Sequence, residues 1–253
     1  MSSLKKISVT VLTKNSEKHL KEVLDALEGF DEVLVYDNGS QDKTLEIAKS
    51  YPFVRLEEGK FFGFGETHNV ASELAKNDWV LSIDSDEVLT PELKEEIGKL
   101  HLDPKRVYRL DRDNYYRGQK IKGCGWSPDA VYRLYHRKTT RFSEAKVHES
   151  LITEGLQVIK LKNPLVHYSY DSIFEFLAKM QNYSELFALE RRGKVKSSPL
   201  KALGRGWFAF FKSYILKKGI FDGYPGLLIS AYNGHTAFYK YLKLYEMNLD
   251  LEV

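Results

Sequence analysis

Cysteine is almost missing: Cys124 is the single one in 253 residues. One thiol closes no internal disulfide and builds no thiolate metal cluster within the chain. Such a chain agrees with a reducing compartment. Long hydrophobic runs are missing as well. Nowhere does the sequence reach the roughly 18 uncharged apolar residues that a membrane-spanning helix requires. Residues 1–6 are polar and lead into a short apolar run, without the hydrophobic region behind a basic head that marks a secretory leader. The expectation is a chain that is neither secreted nor membrane-spanning. Glycine signatures for nucleotide phosphates are lacking too. No Gly-x-Gly-x-x-Gly follows the first apolar run, Gly63-Phe64-Gly65 comes only later, and no Gly-Lys-Ser/Thr triplet occurs. Dinucleotide-binding dehydrogenases and phosphate-loop NTPases are therefore disfavoured. There is no internal repeat and no low-complexity linker.

What is present is a folding composition, 43% hydrophobic and 29% charged. The charge is unevenly placed. Residues 191–221 hold nine Lys and Arg and no acid, so a chain of net charge +3 has a mildly acidic remainder. Trp207, Phe208, Phe210, Phe211, Tyr214 and Phe221 lie in the same stretch. The protein reads as an acidic body with a basic, aromatic attachment.

The first half alternates strand and helix signals. Ile7 to Leu12, Glu32 to Tyr36, Phe53 to Glu57 and Trp79 to Asp84 read as strands, three of them dense enough in apolar residues for burial on both faces. Between them the spacing predicts helices from a Ser16 cap to Leu27, over 44–50 and over 66–75, with Pro91 opening another. That order predicts a mostly parallel sheet with helices on both faces. After about residue 105 short strands follow at 108–111, 130–135 and 156–161. From Ile173 on the signal is helical, with further helices over 200–216 and 227–246. The expected division is an α/β domain over 1–170 and a helical extension over 171–253.

In an open parallel sheet ligands bind beyond the C-terminal ends of the strands. Three polar clusters follow strands directly: Thr13-Lys14-Asn15, Asp37-Asn38-Gly39-Ser40, and Asp84-Ser85-Asp86-Glu87. Two carboxylates at i and i+2 suit a hard divalent cation, Mg2+ or Mn2+, with open positions for phosphate oxygens; an aspartate-rich turn has the same composition. Asp37 can accept from a nucleobase imide or a ribose hydroxyl, or can close an Asx-turn.

In combination the blocks Ser8-Val9-Thr10-Val11-Leu12-Thr13-Lys14-Asn15, Val35-Tyr36-Asp37-Asn38-Gly39-Ser40, Gly65-x-x-His68-Asn69-x-Ala71 and Trp79-Val80-Leu81-Ser82-Ile83-Asp84-Ser85-Asp86-Glu87 resemble the family-two inverting glycosyltransferases of GT-A fold, over roughly residues 5–170. Gly125-Trp126, Tyr132-Arg133-Leu134-Tyr135, Val147-His148-Glu149, His167-Tyr168-Ser169-Tyr170 and the run from Gly219 to Gly226 are similar to the bacterial lipopolysaccharide core β-1,4-glucosyltransferases. The resemblance implies a donor site of Thr13, Asn15, Asp37, His68, Asn69 and Asp84. It places Thr13 and Asp37 at base and ribose, Asp84 near the ribose, and Asp86 on a Mn2+ or Mg2+ ion, with His167 as a further ligand or phosphate contact. His68 departs from the pattern, because many relatives carry Arg or Lys beside the diphosphate. The resemblance also implies an acidic base, for which Glu149 is the candidate and Asp129 and Glu144 the rivals. His148 neighbours that base, and Trp126 either stacks on a sugar or fills core space.

The implied reaction moves a hexose, glucose first, from a nucleotide diphosphate sugar such as UDP-glucose to a lipid-linked saccharide such as the lipopolysaccharide inner core. Transfer to a protein or peptide is the runner-up, and an inactive nucleotide- or membrane-binding protein is the other class. The stretch 200–216 is basic, aromatic and amphipathic, as expected of a helix lying on an anionic membrane, although the same aromatics could pack as core. Nucleic acid is not an expected partner, since no binding motif is present and an acidic sheet edge repels a polyanion. The expected location is cytoplasmic, peripheral on the inner face of the cytoplasmic membrane.

Overall fold

A computed structural model describes residues 2–143 and 150–251. The chain forms two compact units, one of residues up to Asp113 together with Asp129–His167, the other of Asn114–Pro128 together with the residues from Tyr168 on.

The first unit is built on a mixed sheet. Strands β1 (Ile7–Thr13), β2 (Glu32–Asp37), β3 (Val54–Glu58) and β4 (Trp79–Asp84) pair in parallel in the order β3-β2-β1-β4. The helices that link them are α1 (Leu20–Ala26), α2 (Thr44–Lys49) and α3 (Phe64–Leu74). Every residue of β1 is buried, as its continuous apolar and small-residue run requires of a central parallel strand. Short β5 (Glu87–Leu89) and α4 (Pro91–Gly98) come next, the helix capped by the Thr90 hydroxyl, which accepts from Leu93 N at 3.1 Å. Beyond β4 the sheet turns antiparallel. It continues through β8 (Asp129–His136), β6 (Arg106–Tyr116), β10 (Leu165–Tyr170) and β5, while β9 (Gln157–Lys160) pairs with β6 in parallel; the two-residue β7 (Gln119–Lys120), which pairs with Tyr115 and Tyr116, belongs to the second unit. The parallel expectation thus holds for the N-terminal strands. The later ones reverse because β6 and β8 meet as antiparallel neighbours rather than through a helical crossover.

Strand register brings the polar clusters together. Thr13 lies opposite Asp37, and Leu12 opposite Asp84. The ends of β1, β2 and β4 therefore come level at one sheet edge. Ser16 does not cap α1, contrary to expectation: the helix starts at Leu20 after His19, without a side-chain cap. The Ser16 hydroxyl instead meets the Ser85 hydroxyl at 2.7 Å, a bond across that edge that outcompetes a local one.

The second unit contains α5 (Ile173–Arg191), α6 (Pro199–Phe211) and α7 (Gly223–Leu249), with a π-helical turn at Lys212–Leu216 and a 3-10 turn at Gly219–Asp222. Its core joins Tyr116, Ile121, Cys124, Phe176 and Ile229, and Tyr170 stacks on Phe176 with ring centroids 4.0 Å apart. Helices α6 and α7 approach closely where Gly206 faces Gly234; a Cβ on either would sit about 3.1 Å from the other helix. The tightest point is Gly226, where an added Cβ would fall 1.8 Å from the Gly219 carbonyl oxygen. Backbone cannot yield as a flexible side chain does. Gly226→Ala should therefore lower the urea midpoint, by about 1–3 kcal/mol of stability as overpacking does, and an unchanged midpoint would show that the turn at Gly219 can move aside.

Candidate active site

The loops after β1 and β2 are latched to each other. Asp37 is buried, and its carboxylate accepts from Thr13 Oγ1 (2.9 Å), from Ser40 Oγ, and from the backbone N–H groups of Gly39 (2.9 Å) and Ser40 (2.8 Å). A carboxylate offers about four acceptor positions, and all four are taken. Thr13 is buried with it. These two side chains shape the loop on which a ligand could rest. Asn15, exposed at φ 51°, ties the same loop from the other side. Its backbone N–H donates to Ser40 Oγ (2.8 Å) and its Oδ1 accepts from Gln41 N (2.8 Å).

The end of β4 carries a buried charge cluster. Asp84 is ion-paired with Arg133 of β8, and the same guanidinium donates to Glu87 Oε1 at 2.6 Å. Glu87 is fully buried, accepts also from the backbone N–H of Asp84 (3.1 Å), and pairs with Arg112 of β6 at 3.0 Å. Arg112 in turn holds Asp129, its register partner, at 2.8 Å. Burial alone would raise the Asp84 carboxyl, but the positive groups around it, Arg133 first and then His68, His167 and Arg112, together outweigh it and hold the group at about 2. Sequence reading missed Arg133, Arg112 and Glu87 as site residues. The available signal was an arginine inside the apolar strand Tyr132-Arg133-Leu134-Tyr135, since a charge in such a place demands a partner.

His68 lies behind Asp84. It is buried, Nδ1 meets the Ser82 hydroxyl at 2.8 Å, Nε2 is 3.6 Å from Asp84 Oδ1, and the ring stacks on Phe142. Burial pushes its pKa down to about 4. The ring is thus a neutral prop beside Asp84. Asn69 is likewise engaged with protein. Its Nδ2 donates to the Phe142 carbonyl (3.1 Å) and its Oδ1 accepts from Phe142 N (2.9 Å), so both ends of the amide clamp backbone. In the second unit, Trp126 stacks with Tyr170 and Phe176 and belongs to the packed aromatic cluster. Glu149, His148 and Glu144 lie outside the described residues.

Asp86 has a different partner from Asp84: the two side chains are similarly exposed, 40% and 32%, but His167 Nε2 lies 3.7 Å from Asp86 Oδ2. Burial first, then the opposing pulls of Glu87 and Arg112, leave the His167 imidazole at about 4 and hence neutral at pH 7. A carboxylate beside a neutral imidazole is a donor set that fits Mn2+, and the carboxylate alone fits Mg2+. Among the described residues no group of three or more His, Cys, Asp or Glu is placed to hold a metal. An ion here would therefore complete its shell with phosphate oxygens and water, as magnesium in nucleotide sites does.

Among known proteins, the profile of "Glycosyl transferase family 2" matches residues 8–152. A glycosyltransferase of Rickettsia typhi is 30% identical over 97% of this chain and 89% of its own length. The lipopolysaccharide core biosynthesis glycosyltransferase LpsC of Rhizobium meliloti is 27% identical over 72% of this chain and 70% of its own. Among solved structures, that of Staphylococcus aureus TarS 1-349 covers 98% of this chain and 90% of its own at 18% identity, with a TM-score of 0.43.

Arg133→Met should cost about 3 kcal/mol or more in urea unfolding, because it leaves Asp84 without its arginine and Glu87 with Arg112 alone. The sign with pH is fixed as well. A depressed carboxyl contributes stability above its unfolded value and loses it as pH falls toward about 2. The wild type should lose that increment between about pH 4 and pH 2, and the variant should not.

Proposed function

The chain belongs to glycosyl transferase family 2, and from that premise we propose that it moves a hexose, with glucose as first candidate, from a nucleotide diphosphate sugar to a lipid-linked saccharide acceptor. UDP-glucose is the proposed donor and a lipopolysaccharide inner core the proposed acceptor type. LpsC, a lipopolysaccharide core glycosyltransferase by name, supports the acceptor class. The observation that carries the reading is the division of labour at the end of β4: Asp84 ion-paired with the buried Arg133, Asp86 beside a neutral His167.

Asp86 and His167 would hold the divalent cation, Mn2+ or Mg2+. When bound, such an ion stabilises the negative charge that gathers on the departing diphosphate. The latched loops carrying Asn15 and Ser40 would seat the nucleoside, with Asp37 and Thr13 fixing their shape from below. Inversion proceeds by one in-line displacement. The acceptor hydroxyl oxygen bonds to the anomeric carbon, its proton passes to a carboxylate, and the bond from that carbon to the diphosphate oxygen breaks. Glu149 is the proposed base. Its rival Asp129 is held by Arg112, which argues against it.

Membrane contact is part of the same proposal. Among the described residues no helix is long and apolar enough to cross a membrane. On α6 and the turn after it, however, Leu200 is 79% and Trp207 69% exposed, and Phe208, Phe211 and Ile215 are exposed as well. Packing within this chain does not cover them, and they share their stretch with basic residues, which supports peripheral contact with an anionic leaflet on the cytoplasmic side.

Asp86→Ala should abolish transfer and remove the tightening of UDP binding by Mn2+ in calorimetry; a variant at near wild-type rate would discard the metal assignment. Glu149→Gln should retain UDP binding and lose about a hundredfold or more in transfer rate. Trp207→Ser with Phe211→Ser should lower partition onto phosphatidylglycerol vesicles by about tenfold or more, and equal partition would reduce the exposed face to a packing surface.

A further inference from the structure

The second unit holds a recess that the transfer reading does not use. It has a volume of about 390 Å³ and is lined by Trp126, Ala209, Lys212, Lys217, Asn233 and Lys240 among others. A second hollow of about 520 Å³, which includes Lys122, Lys217 and Lys218, shares Gly125 and Lys217 with it. Among the described residues no carboxylate lines either space. Asp222 is spent on protein: its side chain accepts from the backbone N–H groups of Lys122 (3.1 Å) and Gly123 (2.6 Å). Asp129, which follows the lining residue Pro128, is held by Arg112 at 2.8 Å.

Neutral hydrogen-bonding groups stand among the lysines. Asn233 Nδ2 donates to Ser213 Oγ at 3.0 Å, and the Thr236 hydroxyl, on the same lining, is buried without a hydrogen-bond partner. Burial and then the charge of Arg191 hold the Lys240 ammonium below its ordinary range. Lys212, Lys217 and Lys240 line one concave volume, so an anion that enters it meets positive charge with no competing acid among the described lining residues. A single carboxylate neutralises only one of them. A phosphomonoester brings up to two charges and three acceptor oxygens, and a phosphodiester headgroup one charge and two oxygens that two lysines can share, which matches lysines acting as point charges.

We propose that this lysine-lined recess binds a phosphate ester. A phospholipid headgroup and a phosphorylated saccharide both present that group, and the chemistry of recognition is common to the two. The site is independent of metal and of the sheet-edge carboxylates.

The test is calorimetry of the full chain with inorganic pyrophosphate in EDTA, repeated on Asp86→Ala so that a failed transfer reading is told apart from a failed recess. Single-site saturable binding is expected in both proteins. It should weaken tenfold or more in Lys212→Gln with Lys217→Gln, two exposed positions where the fold should persist by circular dichroism. Ala237→Leu narrows the recess with every charge retained and should weaken binding as well. Absent saturation, or affinity unchanged in either variant, would overturn the site and leave only diffuse surface charge. Pyrophosphate that displaces the chain from phosphatidylglycerol vesicles assigns the site to a headgroup; saturable binding without displacement assigns it to a soluble phosphorylated saccharide.

Discussion

Arg133 is the constraint on which the sheet edge depends. It is buried on β8 between Asp84 and Glu87, and Arg112 adds a second positive charge to Glu87. Taking these charges out of water costs several kcal/mol for each ion and is offset only while every partner is in place. The cluster therefore has one arrangement. It ties the end of β4, two residues before Asp86, to β8 and β6. The neutral His68 behind Asp84 adds a hydrogen-bonded, stacked support without adding charge.

The same principle operates one strand away in a different form. Asp37 is satisfied by four donors from Thr13, Gly39 and Ser40, so its charge is spent on loop shape. Ser16 bridges to Ser85, which joins the β1 loop to the acidic turn. Three loops that are distant in sequence are thus held as one platform. Preorganisation of this kind lowers the ordering cost of a ligand more than an extra direct contact would.

The second unit solves another problem. Small residues at Gly206 and Gly234 let α6 and α7 pack backbone to backbone, which leaves the large aromatics of α6 on the outside. An apolar face and a lysine-lined recess are the two consequences. One arises from what the glycines exclude from the helix contact, the other from a stretch without acids.

The sequence alone determined the α/β class, the four N-terminal strands, the helical C-terminal part and the family, because apolar periodicity and ordered motif blocks are local properties. It also located Asp84 and Asp86 at a strand end. What it left undecided was which polar residues face a ligand and which face protein. Thr13, Asp37, His68 and Asn69 stand in the expected places, yet their partners are Ser40, Ser82 and Phe142, brought near by sheet register and helix packing. Arg133 and Glu87, quiet in the sequence, became central only when β8 was laid beside β4. Burial, and therefore the cost of an unpaired charge, is a property of the assembled fold, and no one-dimensional spacing contains it.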